Sequence, residues 1–261
     1  NLAGTLGAQG YHAGARSLQE QVLEALRRVL GAEHPATLTS MNNLAETLRA
    51  QGDHARARTL GEKAVEARRR VLGAEHPATL TSMNNLALTL GAQGDHTGAR
   101  TLQEQVLKAR RRVLGAEHPH TLTSMSSLAA TLGAQGDHAG ARALHERVVE
   151  TLRRVLGAEH PDTLTLMNNL AGTLRAQGDH AGARVLQEQV LAVQRRVLGV
   201  EHPNTLISMN NLAWTCLKQG THPAARALVA EALPRSRAKL GKAHRLTQAL
   251  LILARTLLEA T

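Results

Sequence analysis

The chain repeats one sequence pattern at a fixed step of 42 residues, and this step constrains the fold more than any other feature. A proline marks each copy, and these residues are Pro35, Pro77, Pro119, Pro161 and Pro203. Residues 35–76 and 77–118 are identical at 33 of 42 positions. Repeats of this length are supersecondary units that bury their apolar faces only when neighbours stack. The period therefore predicts a solenoid in which each copy is one module.

Each copy contains two apolar stripes. In residues 35–76 the first stripe consists of Leu38, Met41, Leu44, Ala45 and Leu48. The second stripe consists of Ala57, Leu60, Ala64, Ala67 and Val71. Spacings of three and four residues indicate helices rather than strands. We therefore expect helix A over about residues 36–50 and helix B over about residues 54–72.

The residues at the helix ends support this assignment. Pro35 suits the first turn of helix A, and Gly52 suits the position just past its end. Asp53 can cap helix B, and Gly73 closes it. Because these signals recur in each copy, we expect an all-α fold, a right-handed superhelical solenoid of stacked antiparallel helical hairpins.

The repeats predict one solenoid domain over residues 1–261. It comprises a partial repeat (1–34), full repeats (35–76, 77–118, 119–160, 161–202 and 203–244) and a degenerate terminal helix (245–261). The first residues match the second half of a helix A, so we expect the sequence to be a fragment of a longer protein.

The terminal helix lacks a following repeat in this sequence. We expect it to expose a face formed by Leu246, Leu250, Leu251 and Leu253. Such a face would complement the other end of the solenoid, so end-to-end self-association is expected.

The spacing of packing residues resembles that of a known repeat family. The residues that carry it are Asn43-Leu44-Ala45, Leu48, Gly52, Asp53, His54, Ala57 and Ala64. They resemble the tetratricopeptide repeat, whose usual period is about 34 residues. The 42-residue period, with His-Pro opening helix A, resembles the kinesin-light-chain-like branch, and we expect a bacterial source. The resemblance implies an interaction scaffold in which asparagines at the Asn43-type position clamp a bound peptide.

Composition argues against several other classes of protein. Cys216 is the single cysteine, so no internal disulfide or multi-thiolate zinc site can form, and its repeat position predicts a buried apolar side chain. No apolar run of about 18 residues is present, and we expect a cytoplasmic protein. Nearly all polar residues are repeated and no phosphate-binding loop appears, so we expect neither an enzyme nor a cofactor.

Histidine and arginine recur with the same period. Most of the 14 histidines occur once per copy, too far apart to converge on one metal ion, so we expect structural roles and no metal. Arg58 and four of its five equivalents precede a glutamate by four residues, and we expect these arginines also to pair with the Asp53-type residue of a neighbouring copy.

Basic runs lie near the ends of the B helices. They are Arg27-Arg28, Arg68 to Arg70, Arg110 to Arg112, Arg153-Arg154 and Arg195-Arg196. They can complement the helix dipole, or they can form a convex basic surface that binds nucleic acid or acidic partners. Aromatic residues that would stack on the bases of single-stranded nucleic acid are absent from these runs.

Repeated asparagine pairs are the strongest candidates for ligand binding, because a mid-helix asparagine is mildly unfavourable. An amide can bind a peptide backbone, or it can tie adjacent repeats together, and both roles stay open here. With the variable residues beside them they predict a peptide-binding groove, formed by Asn42, Asn43, Glu46, Arg49, Asn84, Asn85, Leu88, Asn168, Asn169, Arg175, Asn210, Asn211 and Trp214.

We therefore expect a scaffold that binds a peptide or protein segment in the concave groove. The alternatives are the basic surface described above and, from the family resemblance alone, a sensor arm of a larger bacterial signalling ATPase or a light-chain-like adaptor.

Overall fold

The structure, a computed structural model, describes residues 12–259. This part of the chain forms helices throughout, with no strand among the described residues. The helices are α1 (His12–Leu30), α2 (Pro35–Ala50), α3 (His54–Leu72), α4 (Pro77–Ala92), α5 (His96–Leu114), α6 (Pro119–Ala134), α7 (His138–Leu156), α8 (Pro161–Ala176), α9 (His180–Leu198), α10 (Pro203–Lys218), α11 (His222–Leu240) and α12 (Arg245–Glu259). The predicted helices A and B are confirmed; the half helix predicted for residues 1–9 lies outside the described residues.

The chain divides into two compact units, Asn1–Gly136 and Asp137–Thr261. Within each unit every described helix packs against the next one in sequence. Successive A helices also touch: α2 contacts α4 in the first unit, and α10 contacts α12 in the second. The predicted all-α fold of packed helical hairpins is confirmed.

A histidine caps each A helix. The Nδ1 atom of His34 accepts a hydrogen bond from the backbone nitrogen of Ala36 at 3.2 Å. The same contact recurs at His76, His118, His160, His202 and His244. A ring nitrogen thus takes the place of the usual serine or aspartate oxygen. Because His244 caps in the same way, α12 begins at Arg245 without the proline.

Aspartates cap the B helices, as predicted. Asp95 Oδ1 accepts from the backbone nitrogen of Gly98 at 2.8 Å. A Cβ atom added at Gly98 would lie 2.7 Å from Asp95 Oδ2, so glycine permits this close approach. Where Arg56 takes the glycine's place, the bond to Asp53 lengthens to 3.3 Å. Thr221 makes no side-chain cap to α11.

The predicted helix B stripe is correct except at its last residue. Ala57 and Ala64 are buried, and Leu60 and Ala67 are half-buried. Val71 is 45% exposed, so its predicted burial is wrong. Helix B has 19 residues and helix A has 16, which leaves the last turn of helix B with less helix A surface to pack against.

The face predicted to be exposed on α12 is largely buried, so that expectation is wrong. Leu246, Leu250 and Leu253 join the apolar core formed with α10 and α11, and Leu251 is half-buried. These leucines pack against the preceding hairpin and are therefore not left exposed for a following one. Ile252 and Leu258 are the exposed large apolar residues of this helix, at 56% and 74%. Cys216 lies in the same core, which confirms its predicted burial.

None of the helices in residues 12–259 is both long and apolar enough to cross a membrane. Within the same residues, His, Cys, Asp and Glu side chains nowhere gather in a group of three that could hold a metal ion.

Candidate functional site

The exposed side of the A helices, which we call the A-helix face, carries part of the predicted groove. In the first unit Asn43 and Glu46 are exposed, and Arg49 and Asn85 are half-buried. Leu88 is exposed beside them. The equivalent residues of the second unit are Asn169, which is exposed, and Arg175, Asn211 and Trp214, which are half-buried. Each unit thus presents asparagines together with side chains that differ from repeat to repeat.

The two asparagines of each pair have different surroundings. Asn42, Asn84 and Asn210 are buried, and Asn168 is half-buried. Asn42 Nδ2 donates to Ser82 Oγ in the next repeat at 2.7 Å. The equivalent bond joins Asn168 to Ser208 at 3.3 Å. At Asn42 and Asn168 the first asparagine therefore ties adjacent repeats, whereas the second asparagine of each pair is more exposed.

A buried arginine completes this tie. Arg68 Nη1 donates to Ser82 Oγ at 2.8 Å and to the carbonyl oxygen of Ala78 at 2.9 Å. Arg68 Nη2 donates to Thr39 Oγ1 at 3.0 Å. The side chain is 5% exposed, and no described carboxylate lies within salt-bridge distance of it. Burial lowers the pKa of the Arg68 guanidinium from its usual range.

Arg110 repeats this arrangement one repeat later. It donates to Ser124 Oγ at 2.8 Å and to the carbonyl oxygen of His120 at 2.9 Å. Arg68 and Arg110 were expected either to complement the helix dipole or to lie on a convex basic surface, and their burial was not predicted. The sequence did contain an indication of this burial. The positions equivalent to Arg68 hold Leu26, Leu152 and Gln194, whereas the position that follows is arginine in each repeat.

Most of the other arginines of the basic runs lie in ion pairs or hydrogen bonds. Arg70 pairs with Glu33, Arg112 with Glu75 and Arg196 with Glu159. Arg153 donates to Met167 Sδ and to Gln189 Oε1, at 3.4 and 3.2 Å. The three ion pairs are exposed and individually weak, and each one offsets a single positive charge of the basic runs.

The predicted pairing of the Arg58-type residues is confirmed. Arg58 Nε contacts Glu62 Oε1 at 2.8 Å, and Arg58 Nη1 lies 3.7 Å from Asp95 Oδ2 of the next repeat. The hydrogen bond to Glu62 raises the pKa of Arg58. Arg142 makes the same pair of contacts with Glu146 and Asp179 in the second unit.

Two clefts lie between successive B helices. The first-unit cleft, about 580 Å³, lies over Leu44 and Leu48. Glu20 accepts a hydrogen bond from Arg56 across it at 3.0 Å. Hydrogen bonds from Arg16 and Arg56 hold the pKa of Glu20 below its usual range. The second-unit cleft, about 460 Å³, lies over Leu212 and Cys216, and Arg195 bonds to Glu231 there. These charged groups have partners within the protein.

A smaller recess lies on the A-helix face of the first unit, between α2 and α4. It has a volume of about 30 Å³. Its lining residues are Asn42, Ala45, Glu46, Arg49, Gly61, Asn85, Leu86, Leu88 and Thr89. The recess therefore brings together the predicted residues Asn42, Glu46 and Arg49 of one repeat with Asn85 and Leu88 of the next.

The tetratricopeptide repeat profile matches residues 1–70, 42–112, 83–153, 127–195 and 162–238. The chain belongs to the tetratricopeptide repeat family. None of the curated proteins matches it.

Solved structures of repeat proteins are similar to this chain. A variant of a kinesin-light-chain-like protein from Podosopora anserina, with nearly identical TPR-like repeats, is 33% identical. The match covers 79% of this chain and 98% of that one, with a TM-score of 0.72. BtubC (BKLC) of P. vanneervenii is 21% identical, with a TM-score of 0.72 over 88% of this chain and 92% of that one. These similarities confirm the kinesin-light-chain-like resemblance.

The fold is also similar to that of NprR in complex with its cognate peptide NprX. This structure is 16% identical, with a TM-score of 0.61 over 94% of this chain and 69% of that one. At this identity the similarity concerns the fold alone.

Proposed function

We propose that this tetratricopeptide repeat protein is an interaction scaffold that binds an extended peptide or protein segment along its A-helix face. One observation carries the proposal: the side-chain amide of Asn85 borders the recess and makes no hydrogen bond to the described residues. Its neighbour Asn84 is buried, so the two members of the pair differ. An amide with a free donor and a free acceptor matches the peptide backbone.

The repetition of this asparagine supports binding of an extended chain. Asn43, Asn169 and Asn211 hold the equivalent position, and each is exposed or half-buried. Within each unit, amides on successive A helices suit a ligand whose backbone groups also repeat along its length. Asparagine is a poor choice for a helix interior unless its amide has a partner.

The side chains beside the asparagines would give the scaffold its selectivity. One position reads Glu46, Leu88, Ala130, Gly172 and Trp214 in successive repeats, whereas the core position two residues before it is leucine in all five. A charged, an aliphatic and an aromatic side chain present different surfaces to a ligand. The NprR complex supports the proposal by showing that a related fold holds a peptide.

The proposal is tested by selecting peptides from a random-sequence library and measuring their affinity by calorimetry. We expect Asn85→Ala to weaken the best peptide about tenfold, a typical cost for a central contact. Its free energy of unfolding should stay near that of the wild type, because no internal hydrogen bond is lost.

The control is Thr59→Ala, which alters the outer cleft of the same unit and should leave affinity unchanged. A library that yields no binding peptide, or peptides that bind Asn85→Ala as tightly as the wild type, would overturn the proposed function.

A further inference from the structure

The recess of the first unit exists because of one residue, Gly61. The equivalent positions in the other repeats hold side chains, namely Gln19, Gln103, His145, Gln187 and Val229. Gln103, His145, Gln187 and Val229 are all at most 5% exposed, so each fills the interior at its own position. Gly61 supplies no side chain, and the space between α2 and α4 stays open to the A-helix face.

The size of the recess limits what can enter it. Its volume of about 30 Å³ exceeds the roughly 10–15 Å³ that a single water molecule needs, but it is far below that of a drug-sized site. A Cβ atom added at Gly61 would lie 3.2 Å from Leu86 Cδ1, so Leu86 closes the floor beside the glycine and must shift slightly to admit a side chain there. A methyl or hydroxymethyl group fits, and a branched or aromatic side chain does not.

The rim of the recess carries groups that suit a peptide backbone. Asn42 donates its amide nitrogen to Ser82, which leaves its amide oxygen as an acceptor for a backbone N–H. Asn85 borders the recess from the next repeat and can donate to a backbone carbonyl. Glu46 and Arg49 bring opposite charges to the same rim, so the occupant needs no net charge.

We infer that this recess is the anchor pocket of the A-helix face, and that it takes the side chain of an alanine or serine from an extended peptide. The inference rests on the proposed function and adds the class of side chain that is recognised. Because glycine stands at this position in one repeat alone, the pocket also fixes the register of the peptide along the face.

The test uses the full chain, the variant Gly61→Gln and a random-sequence peptide library. Glutamine is the residue found at positions 103 and 187, so the substitution copies a side chain that the fold already accommodates. Gly61→Ala, which fills part of the recess, is the second variant and serves if Gly61→Gln does not fold. Equal thermal melting of the variants and the wild type establishes that the fold is retained.

We expect the peptides enriched by the wild type to share an alanine or serine at one position. Replacing that residue by leucine in a synthetic peptide should weaken binding at least about tenfold. Gly61→Gln should weaken the original peptide by a similar factor and should no longer distinguish it from the leucine peptide. Gln103→Gly should open a second recess and add a preference for a small residue further along the peptide.

The outcomes separate the two proposals. Enriched peptides that show no preference for a small residue, or that bind Gly61→Gln and Gly61→Ala like the wild type, would overturn the anchor pocket and leave the proposed function standing. A library from which no peptide is enriched would overturn the proposed function, and this inference with it.

Discussion

Asn42 and Asn43 are adjacent in the sequence, yet the first is buried against Ser82 and the second is exposed. A helix turns about 100° per residue, so neighbouring side chains face different directions. The sequence identified the pair as unusual but left both roles open. The role of Asn42 as a tie between repeats depends on a serine in the next repeat and on an arginine from the intervening helix B.

At the residue scale, the hydroxyl of Ser82 is expected to contribute strongly to stability. It accepts hydrogen bonds from Asn42 and Arg68. Ser82→Ala leaves both buried donors without this acceptor, and we expect a loss of about 1–3 kcal/mol in the free energy of unfolding. Chemical denaturation measures this loss.

Ser40→Ala is the matched control, because the preceding helix there presents Leu26 instead of an arginine. The control should lose less than about 1 kcal/mol, since no hydrogen bond of Ser40 to the described residues is removed. Equal losses in the two variants would show that the buried tie adds nothing.

His145 is expected to make stability depend on pH. Its side chain is buried, its Nδ1 lies 3.0 Å from Thr173 Oγ1, and burial lowers its pKa. The unfolded chain therefore takes up a proton at this residue before the folded chain does. This contribution to stability is complete above pH about 6.5 and is lost as the pH falls towards the lower pKa of the folded state.

The variant His145→Gln isolates this effect, because glutamine occupies the equivalent positions 103 and 187. The other histidines are the same in both proteins. Denaturant midpoints should fall more steeply with acidification in the wild type than in the variant. Denaturant midpoints that change equally with pH in the two proteins would contradict the expected effect of His145.

At the element scale, the sequence predicted the helices well because their ends carry local signals. Pro35, Gly52 and Asp53 act within one helical turn of their own position. The exposure of Val71 was not predicted because helix B is longer than helix A, and the burial of Arg68 was not predicted because its partners lie in the next repeat. Apolar periodicity alone places an arginine at the surface, and only the carbonyl of Ala78 and the hydroxyl of Ser82 make its burial favourable.

The missing cap of α11 predicts a stabilising substitution. Thr221→Asp restores the aspartate found at Asp53, Asp95, Asp137 and Asp179. It also places a carboxylate where Arg184 can reach it, as Asp179 is reached by Arg142 at 3.8 Å. We expect a gain of about 0.5–1 kcal/mol, partly offset by loss of the Thr221 hydrogen bond to the carbonyl of Cys216.

Chemical denaturation of Thr221→Asp and of the converse variant Asp179→Thr measures this effect. The converse variant should lose about 1 kcal/mol. If Thr221→Asp is no more stable than the wild type, the missing cap of α11 does not limit the stability of the protein.

At the scale of the whole molecule, the fold could be predicted because the repeats multiply each weak signal, and the asparagine pairs remain a predicted binding site. The recess could not, because a single Gly61 among five larger residues carries no meaning until the space beneath the A-helix face is known. The ion pairs of the basic runs were not predicted either, because each one joins residues that lie far apart in the sequence. Glu33 and Arg70 lie in different repeats.

These ion pairs bear on the alternative of a nucleic-acid surface. The net charge of +10 alone predicts weak, salt-sensitive attraction to duplex DNA. A dedicated nucleic-acid-binding surface would depend on the basic runs. We therefore compare the double variant Arg69→Glu/Arg153→Glu, which changes the basic runs, with the charge-matched double variant Arg49→Glu/Arg175→Glu, which does not. Fluorescence anisotropy with duplex DNA should show equally weak binding. A much larger loss in the first variant would favour the alternative.

The most direct test of the central claim is a crystal structure of the chain bound to a peptide enriched from the random library. The account predicts an extended peptide on the A-helix face, with the amide of Asn85 hydrogen-bonded to the peptide backbone. A peptide seated in the outer clefts between B helices, with Asn43 and Asn85 untouched, would contradict it.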